Sequence, residues 1–295
     1  MRVFLTGATG FIGSALVPEL ISHGHSVLGL ARSDAGEQAL KALGADVLRG
    51  ELEDLDTLRR GAEQAAGVVH CGFVHDFTRF AQSCETDRRA IELFGDVLGG
   101  SARPLVVTAG IPGLGGRVVT EADAVPGDHP MPRVSEQATL ALAARGVQAS
   151  VVRLPQVHDR DKAGLVTYLI GVAKEKRVSA FVGEGRNRWS AVHRLDTAPL
   201  YRLALEKGAV GARYHAVAEE GVPLKDIAEA IGRGLGVPAV SMSPQEAMAH
   251  FGPIGFFATM DNPASNALTR QQLGWAPTAQ PGLVADVEHS TAYAA

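Results

Sequence analysis

The first thirteen residues constrain this fold more than any other part of the chain. Arg2-Val3-Phe4-Leu5-Thr6 has the length and apolar character of a short buried strand. It runs directly into Gly7-Ala8-Thr9-Gly10-Phe11-Ile12-Gly13, after which apolar residues recur at helical spacing. Strand, glycine turn and helix in this order make a cradle for an anion. The glycines let backbone N–H groups approach it, and the helix N-terminus adds partial positive charge. The spacing is Gly-x-x-Gly-x-x-Gly, and a dinucleotide diphosphate is expected on Gly7, Thr9, Gly10, Phe11, Ile12 and Gly13.

Strand and helix patterns alternate from here on, which predicts a parallel sheet covered by helices on both faces. Strands are expected near 2–6, 26–31, 46–49, 67–72, 104–108 and 148–153, and helices near 11–22, 36–43, 55–64, 77–99 and 133–145. Pro18 falls inside the first helix and must kink it or lie where a missing N–H is harmless. The second half is less regular. A helix is expected over 164–176, a strand over 178–182, a helix over 196–206, a strand–helix pair over 212–236 and a last helix from Gly282. A loop is expected over 251–263.

Composition narrows the class. The 295 residues are 46% hydrophobic and 20% charged, with a net charge of −4, so nothing electrostatic argues for nucleic acid. Two cysteines, Cys71 and Cys84, exclude a disulfide framework and suit a reducing cytoplasm. No apolar run reaches membrane-spanning length, and the opening residues do not read as a signal peptide. Histidines lack ligand spacing, so no metal is expected.

The end of the second strand selects the dinucleotide. An acid there would accept hydrogen bonds from a ribose 2′-OH, but the chain reads Leu30-Ala31-Arg32-Ser33. Arg32 can pair with a 2′-phosphate and Ser33 can donate to it, which favours NADP(H). Asp34, one residue further on, keeps NAD(H) as the alternative. Glu51 and Leu52, after the third strand, are expected at the adenine. Cys71, Gly72 and Phe73, after the fourth, are expected beside ribose and diphosphate, because ligands of open α/β sheets gather at the carboxyl ends of strands.

These features resemble the extended short-chain dehydrogenase/reductase superfamily, and within it the atypical NAD-dependent epimerase/dehydratase-like proteins. The resemblance also rests on Asp87, Thr108-Ala109-Gly110, Arg153-Leu154-Pro155, Val192-His193-Arg194-Leu195-Asp196 and Leu273-Gly274-Trp275 with Pro277. It implies a doubly wound Rossmann domain over 1–156, with 190–218 packing back on it, and a smaller C-terminal α/β substrate domain over 157–295. It further implies a homodimer, Pro155 along the nicotinamide, and His193 supporting the substrate cavity.

The departures concern the chemistry. The superfamily uses a Ser or Thr after strand five and a Tyr-x-x-x-Lys pair on the next helix. Here that helix reads Met131-Pro132-Arg133-Val134-Ser135-Glu136-Gln137-Ala138-Thr139. Pro132 falls about where the Tyr belongs and Glu136 about where the Lys belongs, and Asp87 replaces the Asn of the proton relay. Thr108 keeps a hydroxyl and is expected to bond the reacting group. His75, His158, His193 and Tyr168 are candidates for the lost acid, with His75 and His158 first, because they flank the inferred nicotinamide position. Trp189 is expected to face the substrate, and Phe256 and Phe257 to sit on a mobile apolar lid formed by 251–257.

The chain is thus expected to be an NADP(H)-dependent oxidoreductase acting on a carbonyl, alcohol or imine of a small, partly apolar molecule. The alternatives are an NADP(H)-binding sensor without turnover, and an epimerase or dehydratase using the nicotinamide transiently.

Overall fold

The computed structural model describes residues 1–126 and 132–294; Met131 of the altered catalytic helix lies outside the described residues. In the first half β1 (Arg2–Thr6), α1 (Gly13–Ser22), β2 (Ser26–Ala31), α2 (Asp34–Ala42), β3 (Asp46–Arg49), α3 (Leu55–Glu63), β4 (Gly67–His70), α4 (Phe80–Leu98), β5 (Leu105–Gly110), α5 (Ser135–Ala144) and β6 (Ala149–Leu154) alternate as expected. The second half contains β7 (Gln156–His158), α6 (Val166–Lys176), β8 (Ser179–Val182), β9 (Arg188–His193), α7 (Arg194–Lys207), β10 (Arg213–His215), β11 (Glu219–Pro223), α8 (Leu224–Leu235) and β12 (Ala239–Met242). It closes with α9 (Pro244–Phe251), α10 (Gly255–Thr259), α11 (Ala267–Leu273) and α12 (Leu283–Glu288).

Seven strands form one parallel sheet in the order β10-β6-β5-β4-β1-β2-β3. Helices cover both faces, so β1, β4 and β5 are almost continuously apolar rather than alternating. On one face α1 and α7 bury Leu16, Val17, Leu20, Leu200, Tyr201 and Leu205. On the other, Phe4, Leu58, Ile91, Phe94, Leu98 and Leu142 interlock beneath α3, α4 and α5. Pro18 lies on the exposed side of α1, where water can take over the lost bond. Strand order reverses between β1 and β4, which places the ligand crevice at their carboxyl ends.

A second core joins α6, α8, α9 and α12 to two small sheets, β11-β9-β7 and β12-β8. The strands β7, β9, β11 and β12 are short and mix polar with apolar residues, so periodicity did not single them out. Two elements of the second half return to the large sheet: α7 packs beside α1, and β10 pairs with β6.

The expected loop over 251–263 is mostly helical. Phe251 ends α9, a 3-10 turn covers Gly252–Ile254, and α10 follows. Phe251, Ile254 and Ala258 are spaced three and four apart and all enter the second core. Gly252 and Pro253 are exposed and redirect the chain, so the segment is a helical connector anchored on the second core, with Phe256 left on its outer side.

Candidate functional site

The glycine turn is built by sterics. Gly7 has φ +68°, and a Cβ there would lie 2.7 Å from Gly72 N and 2.8 Å from Cys71 O at the end of β4. A Cβ on Gly13 would collide with the Gly7 carbonyl, so α1 can start this close to the turn only with glycine. Gly10 N donates to Gly7 O at 2.9 Å and closes the turn. The N–H groups of Phe11, Ile12 and Gly13 have no backbone acceptor among the described residues. They form a donor cradle at a helix start, and this fits a diphosphate.

The adenosine end also fits a coenzyme. Arg32 is exposed at the end of β2 and has no hydrogen-bond or ion-pair partner among the described residues. Ser33 Oγ accepts the Gly36 N–H at 3.2 Å and caps α2, leaving its own hydrogen free to donate. Thr9 packs against the same first turn of α2. The Asp34 carboxylate lies 3.0 Å from the Arg49 guanidinium. Leu52 packs against Gly72 at the crevice between β1 and β4, and Glu51 is exposed after β3. Cys71 turns its thiol inward, where burial pushes its pKa up to about 11 against the opposing hydrogen bonds with Thr108 and Tyr201. Any contact of Cys71 with a coenzyme is therefore through its backbone.

Beyond this crevice, Thr108 is buried and its hydroxyl is used twice. It donates to His70 O at 2.9 Å, so its second contact, Tyr201 Oη at 2.7 Å, must be the donor. Thr108 thus anchors α7 to the sheet, which is a structural role and not the expected bond to a reacting group. Tyr201 is fully buried on α7, and desolvation raises its pKa well above 10.

A buried polar chain runs beside it. Gly72 N donates to Thr6 Oγ1, which meets His70 Nδ1 at 2.7 Å. His70 Nε2 lies 3.2 Å from Asp87 Oδ1, Ser135 Oγ donates to Asp87 Oδ2 at 2.5 Å, and Arg133 Nε donates to Ser135 Oγ at 2.8 Å. With the imidazole hydrogen on Nε2, every member finds its partner. Burial pushes the Asp87 carboxyl up, but His70, Arg133 and Ser135 outweigh it and hold the pKa below the ordinary value.

Phe73, His75 and Arg133 form the open end of this region. The Arg133 guanidinium stacks 4.1 Å over the Phe73 ring and donates to Thr108 O at 3.1 Å. His75 stands edge-on to Phe73 at 5.2 Å. Its ring is open to solvent on one side but crowded by protein on the other. That desolvation, then the charges of Arg133 and Lys162, lower its pKa below 6.5.

The other sequence candidates lie elsewhere. His158 is buried after β7, with Nδ1 2.8 Å from Asp286 Oδ2 and Nε2 3.5 Å from Glu219 Oε1. Pinned between two carboxylates, it ties α12 to β7 and is not open to substrate. His193 accepts the Leu195 N–H as the N-cap of α7 and packs edge-on to His158. Trp189 is 3% exposed in the second core, which removes it from any substrate-facing role. Tyr168 is exposed on α6. Phe256 is exposed and Phe257 is partly buried against the second core, the two rings 5.7 Å apart. Pro155 joins β6 to β7.

Comparison with known proteins decides the family. The model of the NAD dependent epimerase/dehydratase family matches residues 3–88, which span β1 to α4 and the glycine turn. An uncharacterised protein of Schizosaccharomyces pombe is 49% identical over 94% of this chain and 95% of its own length. The chain belongs to the NAD dependent epimerase/dehydratase family. The sterol-4-alpha-carboxylate 3-dehydrogenase (decarboxylating) of Dictyostelium discoideum is 28% identical over 70% of this chain and 68% of its own. The dTDP-glucose 4,6-dehydratase of Streptomyces venezuelae, solved with NAD and TYD bound, shares the fold. Its TM-score is 0.77 at 17% identity, covering 98% of this chain and 95% of that one.

In this epimerase/dehydratase-family chain, α5 opens with Ser135 and Glu136, with Arg133 just before it. Glu136 faces away from the open end, into a buried cluster with Arg153 and Arg213. Pro132 is exposed and Arg133 follows it at the open end. Sequence reasoning passed over Thr6, His70, Arg133, Ser135 and Tyr201. Only Arg133 carried a local signal, as a cation at the start of the helix after β5.

Proposed function

We propose that the protein is an NADP(H)-dependent oxidoreductase that interconverts a carbonyl and an alcohol, or reduces an imine, on a small and partly apolar molecule. Arg32 carries the NADP(H) reading. It is an exposed guanidinium without a partner among the described residues, beside the Ser33 hydroxyl and the start of α2. A 2′-phosphate needs that combination of groups. NAD(H) fits less well, because Asp34 is engaged by Arg49. The Dictyostelium relative, by name a dehydrogenase, supports hydride chemistry.

The coenzyme, when bound, supplies or accepts the hydride. The chain's own groups do the rest. The N–H groups of Phe11, Ile12 and Gly13 bind the diphosphate, and Leu52 and Gly72 shape the crevice beside it. His75 manages the proton. Its lowered pKa leaves it neutral near pH 7, which suits it to accept a proton from an alcohol. Buried Tyr201 and Thr108 are withdrawn from this task by their mutual bond.

The test is calorimetric titration with NADPH and NADH, followed by incubation with NADPH and a panel of aldehydes and ketones while its near-ultraviolet absorbance is followed. Tighter binding of NADPH and loss of absorbance with some panel member are expected. Failure of both coenzymes to bind ends the reading. A second reading, coenzyme binding without turnover, is favoured by the internal commitment of Thr108. It is selected if NADPH binds and no panel member consumes it.

A further inference from the structure

The guanidinium of Arg133 is held in place with one edge left open. Its Nε bonds Ser135 Oγ, one Nη bonds Thr108 O, and its plane lies on Phe73. The carboxylate nearest to it in the ion-pair network is Asp87, 3.9 Å away. Both Asp87 oxygens are already engaged, one by His70 and the other by Ser135. The remaining Nη has no hydrogen-bond acceptor among the described residues, and the side chain is 22% exposed. Such a fixed planar fork matches a carboxylate in geometry and charge.

The neighbouring charges sharpen this. Lys162 has no ion-pair partner among the described residues, and its ammonium lies 5.8 Å from the Phe11 ring centroid, next to the diphosphate cradle. It answers to that cradle. Arg194, on the same ring, is already paired with Asp159 at 3.1 Å. Arg133, paired with Asp87 only at 3.9 Å, keeps a free Nη at the open end, and its charge disfavours protonation of His75. An anion on the substrate gives that charge a counterpart.

We infer that the substrate carries a carboxylate close to its reacting carbonyl or hydroxyl, and that the free edge of Arg133 holds this carboxylate while His75 faces the reacting oxygen. The substrate class is an oxo acid or hydroxy acid with an apolar chain. This rests on the oxidoreductase reading, but binding tests it without turnover.

The experiment is calorimetric titration of alkyl 2-oxo and 3-oxo acids, and of their methyl esters, into the protein saturated with NADP⁺. At least one acid is expected to bind about tenfold or more tighter than its ester. Arg133→Met is expected to erase that preference, and Arg133→Lys to restore part of it, with NADP⁺ affinity within about twofold of the parent in both. Thermal melting verifies that each variant is folded. Equal binding of acids and esters, no binding of any acid, or an unchanged preference in folded Arg133→Met overturns the inference. If acids bind and are never reduced, the inference stands and the oxidoreductase reading falls. If only neutral carbonyls are bound and reduced, the reverse holds.

Discussion

Glu136 grips Arg153 at two points inside the protein, with Nε to Oε2 and Nη2 to Oε1 both at 2.6 Å. Arg213 adds a third contact to Oε1 at 2.7 Å. Glu136 thereby fastens α5 to β6 and β10. Removing one member of a buried pair strands the other charge, at a cost of roughly 3–5 kcal/mol. Glu136→Gln is therefore expected to lower unfolding free energy by about that much in urea titrations. An unchanged denaturation midpoint would contradict the role.

Arg32 makes the coenzyme choice testable by one substitution. A charge-assisted bond to phosphate contributes about 1.5–3 kcal/mol, or about 10–100-fold in affinity. Arg32→Ala should weaken NADPH by that factor and leave NADH within about threefold, by calorimetry. Parallel losses for both coenzymes would place Arg32 away from the 2′ position.

Thr108→Val separates an anchoring hydroxyl from a reacting one. The variant removes the Thr108 oxygen from Tyr201 Oη in a sealed interior and leaves it only the weak Cys71 thiol, which costs about 1–3 kcal/mol. A lower melting temperature is expected, with kcat changed less than about threefold. A hundredfold fall in kcat at unaltered stability would return Thr108 to the chemistry.

His215 predicts an acid-side loss of stability. Desolvation first, then the charge of Arg153, lowers its pKa from 6.5 to about 4. The unfolded chain therefore binds a proton between those values that the folded protein does not. The contribution is full above about pH 6.5 and is lost as pH falls toward 4, on the order of 3 kcal/mol. His215→Asn should flatten the slope of unfolding free energy against pH across this window. A slope equal to the parent's would exclude His215 as its source.

The nucleotide half was legible because its signals are local. Gly7, Gly10 and Gly13 are demanded by contacts within one turn or with the next strand, and β1 to β6 follow one another in alternation. The chemical half was not, because its partners are remote in sequence. Thr108 meets Tyr201 across 93 residues, Asp87 meets Ser135 across 48, and His158 meets Asp286 across 128. No periodicity announces such pairs. The same applies to Trp189, whose aromatic character suggested a ligand but whose neighbours make it core. The helical turns at 251–259 were mistaken for a loop because Gly252, Pro253 and Gly255 mask the spacing of Phe251, Ile254 and Ala258.

The chain passes between the large sheet and the small ones at Pro155, at His193–Arg194 and at 216–218, with no more than three residues between elements at each. The chain crosses again on either side of α11, whose Leu273 joins the first core, so several stays tie the two cores together. Because the chain crosses more than once, clipping any one stay should not liberate an independently folded piece.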